Sequence, residues 1–269
     1  GTHERRTMTP EGDLTEALLQ ARLRGEQLQG TAPDWQLPTL ADGVQVMLAV
    51  ADRLQAQWPR LGWKIAATNA EMQARMRTRE PVLGMTFVRF LHASPARIAH
   101  ADLLDPVIEC EFAFRIGQAL PARADGVDLT EADVLQAVTA AYPCIEVAEC
   151  RFAFKQLPAA TFIQADGFAS GHYVLGEAMA NWQALLKAGV DVQLFKNGTL
   201  HSQGHSSDVM GHPLTPVVWL ANALNRLGRR LEAGDLVSSG SCNILCRARP
   251  GDVFEARYAG LPPVLLQTP

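Results

Sequence analysis

At 269 residues, with 48% hydrophobic and 19% charged side chains, the chain can bury a full core as one large domain or two modest ones. A net charge of -4, with 24 Lys and Arg scattered singly or in pairs, argues against a general nucleic-acid binder. No stretch approaches the roughly 18 apolar residues of a membrane-spanning helix.

Residues 1–7 are polar and lack the apolar segment of a signal peptide, and Met8 opens a helical sequence; the first seven residues read as a leader or expression remnant. Asp13 followed by Glu16 resembles a capping box, with Leu14, Leu18, Ala21 and Leu28 on a helical stripe ending near Gly30. Pro33 and Pro38 mark a loop, and a second amphipathic helix is predicted after Thr39, carrying Val44, Met47, Leu48, Ala51, Leu54 and Trp58. Trp63, Lys64, Ile65 and Ala66 read as a short buried strand bearing one charge, and Asn69 as the cap of a helix reaching Met76.

From about Leu103 short strands dominate. Ile108 to Phe114 alternates, Tyr142 to Ala148 is an apolar run, and Val190 to Phe195 precedes Asn197-Gly198, a hairpin signal. One further helix is predicted with Thr215 as cap and Pro216 in its first turn, stopped by Gly228. Gly234-Asp235 and Gly251-Asp252 mark turns between the last strands. The resulting division is a helical N-terminal region, 1–95, and a β-rich domain, 96–269. Cys110, Cys144, Cys150, Cys242 and Cys246 are odd in number and form no CxxC pair, which points to reduced thiols and a cytoplasmic setting.

The chemistry concentrates in carboxylates. On a strand, Glu109 and Glu111 of Ile108-Glu109-Cys110-Glu111-Phe112 share one face about 6.6 Å apart. Two like charges that close repel unless a cation lies between them, and oxygen-only ligands favour Mg²⁺ or Mn²⁺. Glu146, inside an apolar run, is an awkward acid to bury without a partner. The alternatives are a solvated edge strand for the pair and an arginine such as Arg151 for Glu146. Lys64 is a charge framed by Trp63 and Ile65; burial lowers a lysine's pKa and suits it to proton transfer, whereas a snorkelling lysine would do neither. His201 and His205 have zinc-like spacing but lie among Ser202, Gly204 and Ser206, which reads as a loop.

Six segments in order resemble the 2-keto-4-pentenoate hydratase / 4-oxalocrotonate decarboxylase branch of the fumarylacetoacetate hydrolase superfamily. They are GWKIAATNAEMQ (62–73), IECEFAF (108–114), PCIEVAECRF (143–152), ADGFASG (165–171), GHPLTPVVWLANAL (211–224) and LEAGDLVSSGS (231–241). The resemblance implies an α/β (α+β) fold with a mixed β-roll core and a helical N-terminal part. It implies Mg²⁺ or Mn²⁺ on Glu109, Glu111 and Glu146, and Lys64 as acid/base. Asp166, Gly240 and Ser241 are the expected substrate-binding positions. The implied substrate is a small 2-hydroxy-2,4-dienoate or its 2-oxo-4-enoate tautomer, handled by a hydratase, as in aromatic catabolism, within a homo-oligomer. A 2-oxo acid decarboxylase, a C–C hydrolase of an acylpyruvate and a catalytically silent homologue are the alternatives.

One departure stands out. Many hydratases of this branch carry Pro-Asp-aromatic-Gly where this chain has Pro81-Val82-Leu83-Gly84. Val82 transfers no proton, so Glu80 is the expected substitute acid/base, and without a substitute the chemistry shifts toward ketonisation or decarboxylation.

Overall fold

The computed structural model describes residues 7–269, so of the expected leader only Thr7 falls among the described residues. In chain order the elements are β1 (Thr7–Met8), α1 (Leu14–Arg24), β2 (Gln27–Leu28), α2 (Leu40–Leu54), β3 (Arg60–Ala66), α3 (Ala70–Arg75), β4 (Val82–Phe87), β5 (Leu91–Ala93), β6 (Ala96–Arg97) and β7 (Val107–Ile116). They continue with α4 (Glu131–Ala137), β8 (Val138–Ala148), α5 (Ala160–Ala165), β9 (His172–Leu175), α6 (Trp182–Ala188), β10 (Asp191–Lys196), β11 (Thr199–His205), α7 (Leu214–Arg226), β12 (Leu236–Ser238), β13 (Asp252–Tyr258) and β14 (Val264–Thr268).

Local signals account for the element ends. The Asp13 side chain accepts from the Glu16 amide, and Gly25, at φ 62°, closes α1 in the left-handed conformation. Thr39 and Asp42 form a reciprocal capping box on α2, and Asn69 caps α3. Asn197 and Gly198, at φ 53° and 78°, turn β10 into β11. Helix α7 starts at Leu214, ahead of the expected cap Thr215. Helices α4, α5 and α6, with 6 or 7 residues each, are too short to imprint a helical period and were not expected from the pattern.

The strands build a seven-stranded sheet, ordered β4-β3-β12-β7-β8-β9-β5, and a five-stranded sheet, ordered β11-β10-β13-β14-β6; β1 and β2 form a separate pair. One face of the larger sheet presents Cys110, Phe112, Phe114, Ile145 and Val147, all fully buried in a core shared with Phe254, Ala256 and Tyr258 of the smaller sheet. Phe112 meets Tyr258 edge-on at 5.3 Å. The larger sheet crosses the expected division at residue 95, because β3 and β5 from the N-terminal side pair with β12 and β9 from the C-terminal side. The helices on that side, α1 and α2, pack together, and α2 also lies against α5 and β4.

Candidate metal centre

The second face of the larger sheet carries the site. Glu109 stands directly opposite Glu146 in the β7–β8 ladder, and Glu111, two residues on, stands opposite Cys144. Side-chain alternation therefore places all three carboxylates on one face. An oxygen from each lies within 4.8 Å of the others, with Glu111 and Glu146 buried and Glu109 half-buried. Lys64 on β3 pairs with Ser238 of β12, which pairs with Ala113 of β7, so the lysine projects from the same face. Neighbouring strands lie about 4.8 Å apart, so a flat sheet would hold β3 and β8 roughly 14 Å apart. Yet Lys64 Nζ lies 3.1 Å from Glu146 Oε1. Curling of the sheet and the reach of the two side chains close that gap.

Lys64 donates a second hydrogen bond, of 2.7 Å, to the Phe168 carbonyl. Glu146 Oε1 accepts a further one from the Tyr173 hydroxyl at 2.8 Å. Glu111 Oε1 accepts from the Gly240 amide at 2.8 Å, whereas Glu111 Oε2 is buried with no hydrogen-bond partner among the described residues. Beneath the carboxylates, the Tyr258 hydroxyl wedges into the β7–β8 ladder. It accepts from the Glu111 amide at 3.0 Å and lies 2.9 Å from the Glu111 carbonyl and 2.7 Å from that of Cys144. One phenolic proton serves these two carbonyls, so the strand is pinned where it bears its ligands.

The charges report the crowding. Burial, followed by the charge of Glu146, holds Glu109 and Glu111 well above the ordinary carboxylate range. Burial also opposes ionisation of Glu146, but the Lys64 ammonium, the adjoining Glu111 and Glu109 carboxyls and the Tyr173 hydroxyl outweigh it and bring this acid down to about 2. For Lys64 the sequence-based expectation reverses: burial alone lowers its pKa, but Glu146, Glu109 and Glu111 together raise it, so the lysine is an ammonium. Three crowded carboxylates, one of them with an orphaned buried oxygen, fit a hard divalent cation by donor type and number.

The remaining expected site residues fall elsewhere. Glu80 precedes β4 and is exposed, its Oε2 accepting from Trp219 at 3.2 Å, so it does not join the carboxylates. Val82 takes the sheet position instead, paired with Ala66 on the Lys64 face and packed with Ala67 and Phe168. Asp166 does not offer its carboxylate to a ligand: it is buried and ion-paired with Arg151 at 2.9 Å and Arg22 at 3.3 Å. Arg151 thus serves Asp166, not Glu146. Gly240, at φ 113° and with Thr68 where a Cβ would stand, spends its amide on Glu111. The Ser241 hydroxyl is turned into its own loop, 3.1 Å from the Asn243 carbonyl. His205 and His212 are likewise tied locally, through Ser207 and the Leu214 amide.

Tyr173, Tyr258 and the Phe168 carbonyl went unnoticed in the sequence. A backbone carbonyl leaves no compositional mark, and Tyr258 lies 147 residues beyond the glutamate it supports. Tyr173 had one usable signal, its place just after the Ala165–Gly171 motif.

Comparison with known proteins fits this geometry. No family model matches the chain. The "TodF product hydratase" of Pseudomonas putida F1 is 34% identical over 201 residues, 75% of this chain and 73% of that protein. The 2-keto-4-pentenoate hydratase of Paraburkholderia xenovorans LB400 is 30% identical over 261 residues, 94% of each. Among solved structures, the 4-oxalocrotonate decarboxylase from Pseudomonas putida G7, complexed with magnesium and adipate, superposes with a TM-score of 0.86 at 27% identity, covering 95% of this chain and 96% of that one. A fumarylacetoacetate hydrolase from Exiguobacterium antarcticum, at 22% identity, matches with a TM-score of 0.57 over 78% of this chain and 75% of that one. The fold is therefore of the fumarylacetoacetate hydrolase type. By its relatives the chain belongs to the 2-keto-4-pentenoate hydratase / 4-oxalocrotonate decarboxylase family.

Proposed function

We propose that the protein is a divalent-metal-dependent hydratase of small 2-hydroxy-2,4-dienoates, or of their 2-oxo-4-enoate tautomers. The observation that carries this reading is the convergence of Glu109, Glu111 and Glu146 within 4.8 Å, with Glu111 Oε2 buried and unpartnered. Those three residues would hold Mg²⁺ or Mn²⁺, which when bound supplies Lewis-acid polarisation of the 2-oxo group.

The protein's own residues supply the rest. An ammonium carries three N–H donors, and Lys64 commits two, to Glu146 at 3.1 Å and Phe168 at 2.7 Å. The third is left to hold a proton against substrate and to deliver it to carbon when a dienol ketonises. Val82, Ala67 and Phe168, with Ala66, Met72 and Met76 around them, form an apolar cluster beside Lys64. That cluster suits the hydrocarbon part of a dienoate and excludes water from its flank. Relatives named as hydratases support the reaction class.

Val82 favours a second reading, decarboxylation, because it offers no base to an attacking water; the likeness to a 4-oxalocrotonate decarboxylase supports the same alternative. Five buried free cysteines are consistent with a reducing, cytoplasmic setting, and no helix among the described residues is long and apolar enough to cross a membrane. Assembly as a homo-oligomer belongs to the same proposal. Product analysis with Mg²⁺ and a 2-hydroxydienoate tests it: a 4-hydroxy-2-oxo acid supports the hydratase. Carbon dioxide from a 4-oxalocrotonate-type acid supports the decarboxylase, and no turnover of either overturns both.

A further inference from the structure

We infer that Arg22, Asp166 and Arg151 form a positioning clamp that aims the Phe168 carbonyl at Lys64, which makes helix α1 a working part of the site. The inference rests on the role of Lys64 proposed above.

Its starting point is the turn that presents the carbonyl. Gly167, Phe168 and Ala169 adopt φ values of 64°, 51° and 62°, three left-handed residues in a row, two of them with side chains. Single left-handed residues are common at turns, but a run of them persists only where the surroundings impose it. What surrounds this run is a pair of guanidinium forks, each bridging the residues at its two ends. Arg22 donates to the Asp166 carbonyl at 2.8 Å and to the Ser170 carbonyl at 3.4 Å. Arg151 donates through Nε to Asp166 Oδ1 at 2.9 Å and through its terminal nitrogen to the Ser170 carbonyl at 2.6 Å. The Arg151 amide adds a 2.7 Å bond to Asp166 Oδ2, and its guanidinium also reaches the Glu149 carbonyl.

Burial makes the clamp stiff. The side chains of Arg22, Asp166 and Arg151 are 7%, 0% and 5% exposed, so none of these bonds is shared freely with solvent. Both arginines converge on one aspartate, and the turn's own carbonyl oxygens supply their remaining acceptors. A planar fork spans two acceptors at fixed spacing, which a lysine's point charge does not. None of the three residues belongs to the carboxylate cluster; the clamp reaches Lys64 through the Phe168 carbonyl.

The test is a double-mutant cycle between Arg22→Met and Lys64→Ala, following turnover of a 2-hydroxydienoate, its KM, Mn²⁺ affinity by electron paramagnetic resonance, and thermal unfolding. Misplacing a reacting group by about 1 Å costs up to about 100-fold, so Arg22→Met should lower kcat by about 10- to 100-fold. Mn²⁺ affinity should stay within about twofold, since no ligand is altered, and KM should change less than kcat, since Phe168 shifts within the apolar wall but is not removed from it. In the Lys64→Ala background the same change should cost no further turnover, whereas most of its effect on unfolding, that from the lost Arg22 bonds to Asp166 and Ser170, should persist. If Arg22→Met does not fold, Arg22→Lys, which keeps the charge and loses the fork, gives the same comparison. Wild-type kcat in the Arg22 variant overturns the clamp, as does an equal loss in both backgrounds or a parallel collapse of KM and Mn²⁺ affinity. Wild-type turnover by Lys64→Ala alone overturns the underlying reading of the site, and the clamp's purpose with it.

Discussion

Gly84→Ala is the smallest change that should separate fold from chemistry here. A Cβ at residue 84 would stand 2.1 Å from the Gly167 carbonyl oxygen, against 3.4 Å for ordinary contact. Backbone yields less readily than a side-chain tip, so the 165–171 turn must retreat by about 1.3 Å or β4 must shift by as much. The Lys64–Phe168 bond is 2.7 Å long, and a displacement of that size takes it beyond hydrogen-bonding range. Overpacking of this kind costs about 1–3 kcal/mol. For a chain of this size that is a fall in Tm of roughly 3–10 °C. Loss of alignment should lower kcat by about 100-fold. Calorimetric unfolding and the decay of dienol absorbance measure the two effects, with Mn²⁺ affinity as a control that should not move. A variant with wild-type kcat and Tm would refute the close approach of the turn to β4.

Lys64→Ala should reduce turnover by about 10²- to 10⁴-fold, the usual worth of general acid–base catalysis, in the same absorbance assay. It should also destabilise the protein by about 3–5 kcal/mol in thermal unfolding, because Glu146 then keeps a buried charge without its ammonium partner. Val82→Asp should raise the yield of 4-hydroxy-2-oxo acid relative to simple ketonised product, seen by chromatography, because it sets a base on the Lys64 face. No change in that ratio would remove Val82 from the account. Buried Glu149 has its pKa lowered: burial opposes ionisation, but His172 and Arg151 outweigh it. Its contribution to stability is therefore complete above the unfolded carboxylate value of about 4.3 and is lost as pH falls through the lower folded value. Glu149→Gln should flatten the decline in Tm as pH falls below the unfolded carboxylate value of about 4.3.

What was legible in the sequence was local. The spacing of Glu109 and Glu111 sets their common face whatever the tertiary structure, and the caps at Asp13, Thr39 and Asn69 act within one helical turn. The direct opposition of Glu109 and Glu146 depends on register between two strands whose connection includes α4, which alternation alone does not supply. The sign of the Lys64 shift was likewise out of reach: the sequence gives its apolar neighbours, and only the fold brings three carboxylates to it. Asp166 misled because a motif aspartate reads as a ligand until its partners are known, and one of them, Arg22, lies 144 residues away. Glu80 misled because proximity along the chain says nothing of which way a residue ahead of β4 points.

The central claim is that Glu109, Glu111 and Glu146 together bind one divalent cation beside Lys64. Its most direct test is anomalous diffraction from crystals grown with Mn²⁺ and oxalate. The account predicts a single strong peak about 2.0–2.3 Å from an oxygen of each glutamate, with oxalate completing the coordination and Lys64 Nζ within hydrogen-bonding distance of it. A peak bound elsewhere, or none at saturating Mn²⁺, would contradict it.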